Sequence, residues 1–218
     1  MKPVVFGIAA ETLNDEERAL FRDADPAGYI LFARNVVDRD QLRALTDELR
    51  EISDRENVPI LIDQEGGRVT RMKPPAWPEF PAWAKFDTLY DKAPMSAIEA
   101  ARSNAHAIGL TLAESGITVD CLPLLDVRQP GAHDVIGDRA LGFEPMRVAA
   151  MGRAVLDGLA DAGVCGVVKH FPGHGRAMVD SHKALPRVTA SAEELAVDIE
   201  PFKKLAEASM GMTAHIVF

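Results

Sequence analysis

The segment "KHFPGHGRAMVDSH", Lys169 to His182, puts three histidines, an aspartate and a lysine into fourteen positions. It follows the apolar run "AGVCGVV", so Lys169 and His170 fall where a strand ends, and "FPG" then turns the chain sharply. Asp180 and His182 are two residues apart. In an extended or turning loop that spacing can bring the carboxylate against the imidazole. Such a pair fixes the histidine's tautomer and raises its pKa, making it a tunable proton donor and acceptor. A polar surface loop in which Asp180 merely caps a turn is the plainer reading. Three of the chain's six histidines crowded into one loop speak against it.

A second stretch, "IDQEGGRVTR", sets Asp63 at a strand end, followed by paired glycines and by Arg68 and Arg71. A carboxylate there can accept two hydrogen bonds from sugar hydroxyls, and the glycines let the backbone approach a ligand. An Asp–Arg pair holding a turn explains the same residues equally well. A third stretch, "VIGDRALG", offers Arg139 in a long loop; alone it reads as a surface arginine. His170, His174, Asp180, His182 and His215 are all metal-ligand types. But His170 and His174 flank Pro172 and Gly173, so their spacing does not lie on one helical face as in metalloproteases, and neither metal nor cofactor is expected.

These residues need a scaffold, and the chain alternates regularly. Apolar runs at Val4–Ala9, Gly28–Ala33, Val58–Asp63, Thr118–Val127 and Cys165–His170, with "GMTAHIVF" at the end, read as six strands. Between them lie helical patterns. Asn14 is a cap for "DEERALFRDA", and Asp38 for a helix with Leu42, Leu45, Leu49 and Ile52 at helical spacing. Pro145 suits a first turn, Gly163 a helix end and Ser191 a further cap, while Pro201 should kink or divide the last helix. Short apolar strands alternating with amphipathic helices indicate a parallel sheet covered by helices. The long connections all follow strand C-termini, the face on which βα barrels build their sites. No glycine-rich phosphate turn follows the first strand, which weakens a nucleotide-binding reading.

Composition narrows the function classes. The 218 residues are 47% hydrophobic and 26% charged, enough for a sizeable core in one large domain or two small ones; the single domain over 1–218 is what the resemblance below implies. A net charge of -9 without a basic stripe argues against nucleic acid as partner. The two cysteines, Cys121 and Cys165, lie in apolar runs and read as buried thiols. The absence of a signal-peptide pattern and of a membrane-length apolar segment makes the cytoplasm the expected location.

The motif "KHFPGHGRAMVDSHKALP" resembles the signature of glycoside hydrolase family 3. "ILFARN", "DQEGGRVTR", "PLLDV", "IGDRALG" and "TAHIVF" stand in the same order as in that family's bacterial β-N-acetylglucosaminidases, and the resemblance covers nearly the whole chain. It implies a TIM-type (β/α)8 barrel, of which about the first six βα units are present. It implies a retaining hydrolase that releases N-acetylglucosamine from cell-wall fragments, with N-acetylglucosamine-containing saccharides or muropeptides as partners and no membrane. By resemblance Asp63, Arg71, Arg139, Lys169 and His170 bind the sugar, and His182 is the general acid/base oriented by Asp180. Most glycosidases use a carboxylic acid in that role.

The family's nucleophile is an aspartate in a segment beyond the sixth strand, and the sequence ends at Phe218 before any such segment. The expectation is therefore a C-terminally incomplete barrel domain, inactive alone, with its first and sixth strands as open edges. Two other readings stay open: a glycoside phosphorylase on the same scaffold, since a histidine acid/base repels phosphate less than a glutamate does, and a non-catalytic sugar-binding remnant.

Overall fold

The computed structural model describes residues 1–132, 134–178 and 185–218. Six strands, β1 (Lys2–Gly7), β2 (Pro26–Leu31), β3 (Ile60–Ile62), β4 (Val119–Asp120), β5 (Cys165–Phe171) and β6 (Met210–Thr213), lie side by side in chain order. Every neighbouring pair is parallel, so each connection must cross back over the sheet. The sheet curls into a barrel wall.

Six helices make those crossings: α1 (Asp15–Ala24), α2 (Arg39–Ser53), α3 (Ala84–Tyr90), α4 (Pro94–Glu114), α5 (Pro145–Asp161) and α6 (Ala192–Lys204). Their starts follow from the sequence. Asn14 and Glu17 form a reciprocal capping box, as do Ser191 and Glu194. Asp38 accepts from the Gln41 amide, and Glu144 from the amides of Met146 and Arg147 ahead of Pro145. Leu42, Leu45 and Leu49 are buried along one stripe of α2.

Three expectations change. The fourth strand is regular for only two residues: the Leu122 amide turns back onto the Asp120 carbonyl, and Pro123, next along, has no amide to resume the ladder. The segment still backs β5: the amides of Val167 and Lys169 donate to the carbonyls of Leu122 and Pro123. Pro201 does not divide the last helix. It sits in the final turn of α6, where a missing amide forfeits a single bond. The sixth strand ends at Thr213, so His215 lies just beyond it. The Pro/Trp-rich stretch between β3 and α4 contains α3, with Trp83 and Phe86 rings 5.0 Å apart.

Alternation along the strands divides the interior in two. Ile60, Ile62 and Val168 belong to the large core between sheet and helices. Leu61, Val119, Cys121 and Val167 form a second, smaller cluster on the opposite, concave face. Two residues on from Leu61 and Val167, the same face carries Asp63 and Lys169. An apolar layer thus lies directly under a charged one.

Candidate active site

Lys169 is the centre of the charged layer. Its side chain is 1% exposed, and Nζ lies 2.9 Å from Asp63 Oδ1 and 2.6 Å from Glu65 Oε1. Parity at the end of β3 explains the pair, since Asp63 and Glu65 are two residues apart. Glu65 is fully buried and also receives Arg139 edge-on: Nε donates to Oε2 and Nη2 to Oε1, each at 2.8 Å. Arg71 Nη2 lies 3.4 Å from the other oxygen of Asp63. Burial pushes both carboxyls up, but Lys169 and the arginines outweigh it and hold Asp63 and Glu65 below the usual carboxylate range. Burial likewise opposes the charge on Lys169, and Glu65 and Asp63 overcome it, so the ammonium is held above its ordinary value.

A second buried carboxylate organises the start of the histidine loop. Asp126 Oδ1 accepts from the backbone amides of His170 (3.2 Å) and His174 (2.7 Å), and Oδ2 lies 2.7 Å from His170 Nδ1. Burial raises the Asp126 carboxyl, and His170 and these donors bring it below the ordinary range. An ionised Asp126 can only accept, so Nδ1 carries the hydrogen and donates it, and Nε2 is the second ring nitrogen of a residue lining the cavity.

The turn after β3 is held from beneath. Gln64 Oε1 accepts from the backbone amides of Arg71 (2.9 Å) and Met72 (3.0 Å), and the Gln64 backbone amide donates to Asp120 Oδ1 at 3.0 Å. That clamp delivers Arg71 to Asp63. Gly66 and Gly67 have φ of 87° and 56°. A Cβ on them would meet Pro81 O and Ala82 Cβ, each at 2.8 Å. The glycines therefore serve the chain's own close packing; no glycine here makes room for a ligand.

These groups surround one cavity of ≈ 260 Å³. Asp63, Arg71, Arg139, Lys169 and His170 all line it, together with Glu65, His174 and His215. Arg139 is no surface residue, its side chain being 11% exposed. Asp180 and His182 lie outside the described residues. Among the described residues no cluster of metal-ligand side chains forms, and no helix is long and apolar enough to cross a membrane. The sequence reading assigns no role to Glu65 or Asp126. Parity with Asp63 could have found the first. The contacts of the second come from a segment 44 residues away, which local pattern does not reveal.

The arrangement can hold a polyhydroxylated ring. Asp63 is an ionised acceptor, 18% exposed, fixed by cations on two sides. Residues 4–218 match the family model described as glycosyl hydrolase family 3 N terminal domain. A protein named beta-hexosaminidase from Alkalilimnicola ehrlichii is 37% identical over 223 residues, covering 99% of this chain and 62% of the relative. One of the same name from Aromatoleum aromaticum is 35% identical over 219 residues, covering 99% and 61%. NagZ from Neisseria gonorrhoeae, solved in complex with N-trifluoroacetyl-D-glucosamine, superposes with a TM-score of 0.92 at 35% identity, covering 99% of this chain and 64% of that one. The chain spans about three fifths of the curated relatives it matches.

Proposed function

The chain belongs to glycosyl hydrolase family 3, and from that premise we propose that it forms the sugar-binding floor and acid/base loop of a retaining β-N-acetylhexosaminidase. The observation that carries this reading is the convergence of Asp63, Lys169, Arg139 and His170 on one cavity at the C-terminal ends of β3 and β5. Asp63, with Lys169 and Arg71 fixing its two oxygens, accepts hydroxyls of a terminal sugar. Lys169, His170, Arg71 and Arg139 donate to the sugar's remaining oxygens. The substrate class is a terminal β-linked N-acetylglucosamine on peptidoglycan-derived fragments, in the cytoplasm. The N-trifluoroacetyl-D-glucosamine complex of the gonococcal neighbour supports the sugar.

In the proposed reaction His182, oriented by Asp180, protonates the glycosidic oxygen as a carboxylate attacks the anomeric carbon. A covalent glycosyl-enzyme forms and the aglycone leaves. His182 then takes a proton from water, which attacks the same carbon and restores the carboxylate. The carboxylates described around the cavity are poorly suited to be that nucleophile. Glu65 and Asp126 are fully buried and paired, and Asp63 is held by Lys169 and Arg71. By the resemblance to the family, and not from these contacts, the attacking group is taken to be an aspartate in a segment beyond the sixth strand.

Calorimetric titration of the chain with N-acetylglucosamine tests the binding half. Heat should saturate with the wild type and vanish with Asp63→Ala, which deletes two charge-assisted hydrogen bonds. No binding to the wild type, or equal binding to the variant, would remove Asp63 from a sugar site.

A further inference from the structure

Arg68 takes no part in the charged layer, yet its guanidinium is surrounded by one segment. Nη2 donates to three successive carbonyls, those of Asp134 (2.7 Å), Val135 (2.8 Å) and Ile136 (3.2 Å), and Nε to Asp138 Oδ1 at 2.8 Å. The segment folds tightly around it: at Gly137, with φ 47°, an added Cβ would stand 3.2 Å from Nη2. The Val135 carbonyl is shared, since Arg139 Nη1 also donates to it at 3.0 Å. The other edge of Arg139 is held by Glu65, three residues before Arg68. The contacts close a ring from Glu65 to Arg139, to the Val135 carbonyl, to Arg68 and back along the turn to Glu65.

We propose that Arg68 is a positioning residue that locks the 134–139 segment onto the Glu65–Val69 turn and so sets the shape and affinity of the sugar cavity. Val69 from the turn, and Val135, Ile136 and Arg139 from the segment, all line that cavity. They reach it from opposite arms of the ring, so the ring fixes their separation. A half-exposed Arg–Asp pair by itself contributes little. Here the three carbonyls hold the segment, and only a planar fork with several donors can serve them and the carboxylate together. The affinity claim rests on the sugar-binding reading of the cavity; the locking claim does not.

Two measurements on the 218-residue chain test it, using wild type, Arg68→Met, Arg68→Lys and Asp138→Asn. In titrations with N-acetylglucosamine, Arg68→Met should weaken binding by about tenfold, Arg68→Lys by less, and Asp138→Asn should stay within about twofold of wild type. Equal losses in Arg68→Met and Asp138→Asn, or none in either, would overturn the positioning role. Amide hydrogen exchange over 134–140, without ligand, should be about tenfold faster in Arg68→Met and near wild type in Asp138→Asn. Unchanged exchange would overturn the lock. If Arg68→Met does not fold, Arg68→Lys against Asp138→Asn decides by the same ordering. A wild-type chain that takes up no sugar counts against the sugar reading alone, and the exchange result still decides the lock.

Discussion

Lys169 and Glu65 stand 2.6 Å apart, and neither side chain exposes more than 1% of its surface. Taking two charges out of water is costly, and their attraction offsets that cost only with good geometry and further partners. Here Asp63 and Arg139 are those partners, each partly exposed, making a four-membered array with two charges of each sign around a buried pair. Such an array holds its members in place because none can leave without stranding another.

Lys169→Met should therefore cost about 3–5 kcal/mol of folding stability, the usual consequence of removing one member of a buried ion pair. Urea unfolding of the two chains measures it. Adding Glu65→Gln to the variant should return part of the loss, since one of the stranded charges is then gone. A strictly additive double variant would mean that Lys169 and Glu65 do not act on each other.

Four carboxyls in and beneath the charged layer predict a pH dependence of two signs. Asp63, Glu65 and Asp126 lie below the ordinary range. Their stabilisation is complete above the unfolded value near ~4 and is lost as pH falls through the folded values. Asp120 is fully buried, with Oδ2 unpartnered and Oδ1 taking the Gln64 amide, and burial pushes it well above the ordinary range. The folded chain keeps that proton where the unfolded chain has released it. Its contribution thus declines as pH rises from ~4 toward the folded value. Asp120→Asn removes this decline, so its urea midpoint should gain on the wild type with rising pH. A difference that does not vary with pH would show Asp120 to be ionised in the fold.

In a catalytically competent form of the protein, His182→Ala should slow natural substrates by ~10²–10⁴-fold. Aryl N-acetylglucosaminides with acidic phenols need little protonation, so their first step should suffer much less. Azide should then restore turnover by attacking the glycosyl-enzyme without base assistance. Chelator sensitivity of the wild type, with no azide effect in the variant, would point to metal chemistry and away from His182 as acid/base.

What could be read from sequence was what depends on local pattern. Caps at Asn14, Asp38 and Ser191, the leucine stripe of α2 and the alternation of six strands with helices all follow from spacing and residue type. The positions of Asp63 and Lys169 at strand ends followed as well. Partnerships across the sheet did not. Glu65 meets an arginine 74 residues away, and that contact turns Arg139 from an apparent surface residue into a largely covered one. The break of β4 at Pro123 was visible in the residue itself but masked by its apolar neighbours. The double glycine read as room for a ligand because its real neighbours, Pro81 and Ala82, are brought there only by the fold of the Pro/Trp-rich stretch.

The apolar layer of Leu61, Val119, Cys121 and Val167 beneath the charges has an electrical consequence. Burial there, with Asp63 above, pushes the Cys121 thiol up to about 12, so the layer adds no charge of its own. A poorly polarisable floor cannot screen the array from below, and its field emerges through the mouth alone. On the proposed sugar-binding role, a hydroxyl approaching Asp63 would be turned by that field before it docks. Dissolved salt, whose screening length is about 8 Å at physiological strength, would then act on the approach and hardly at all on a seated sugar.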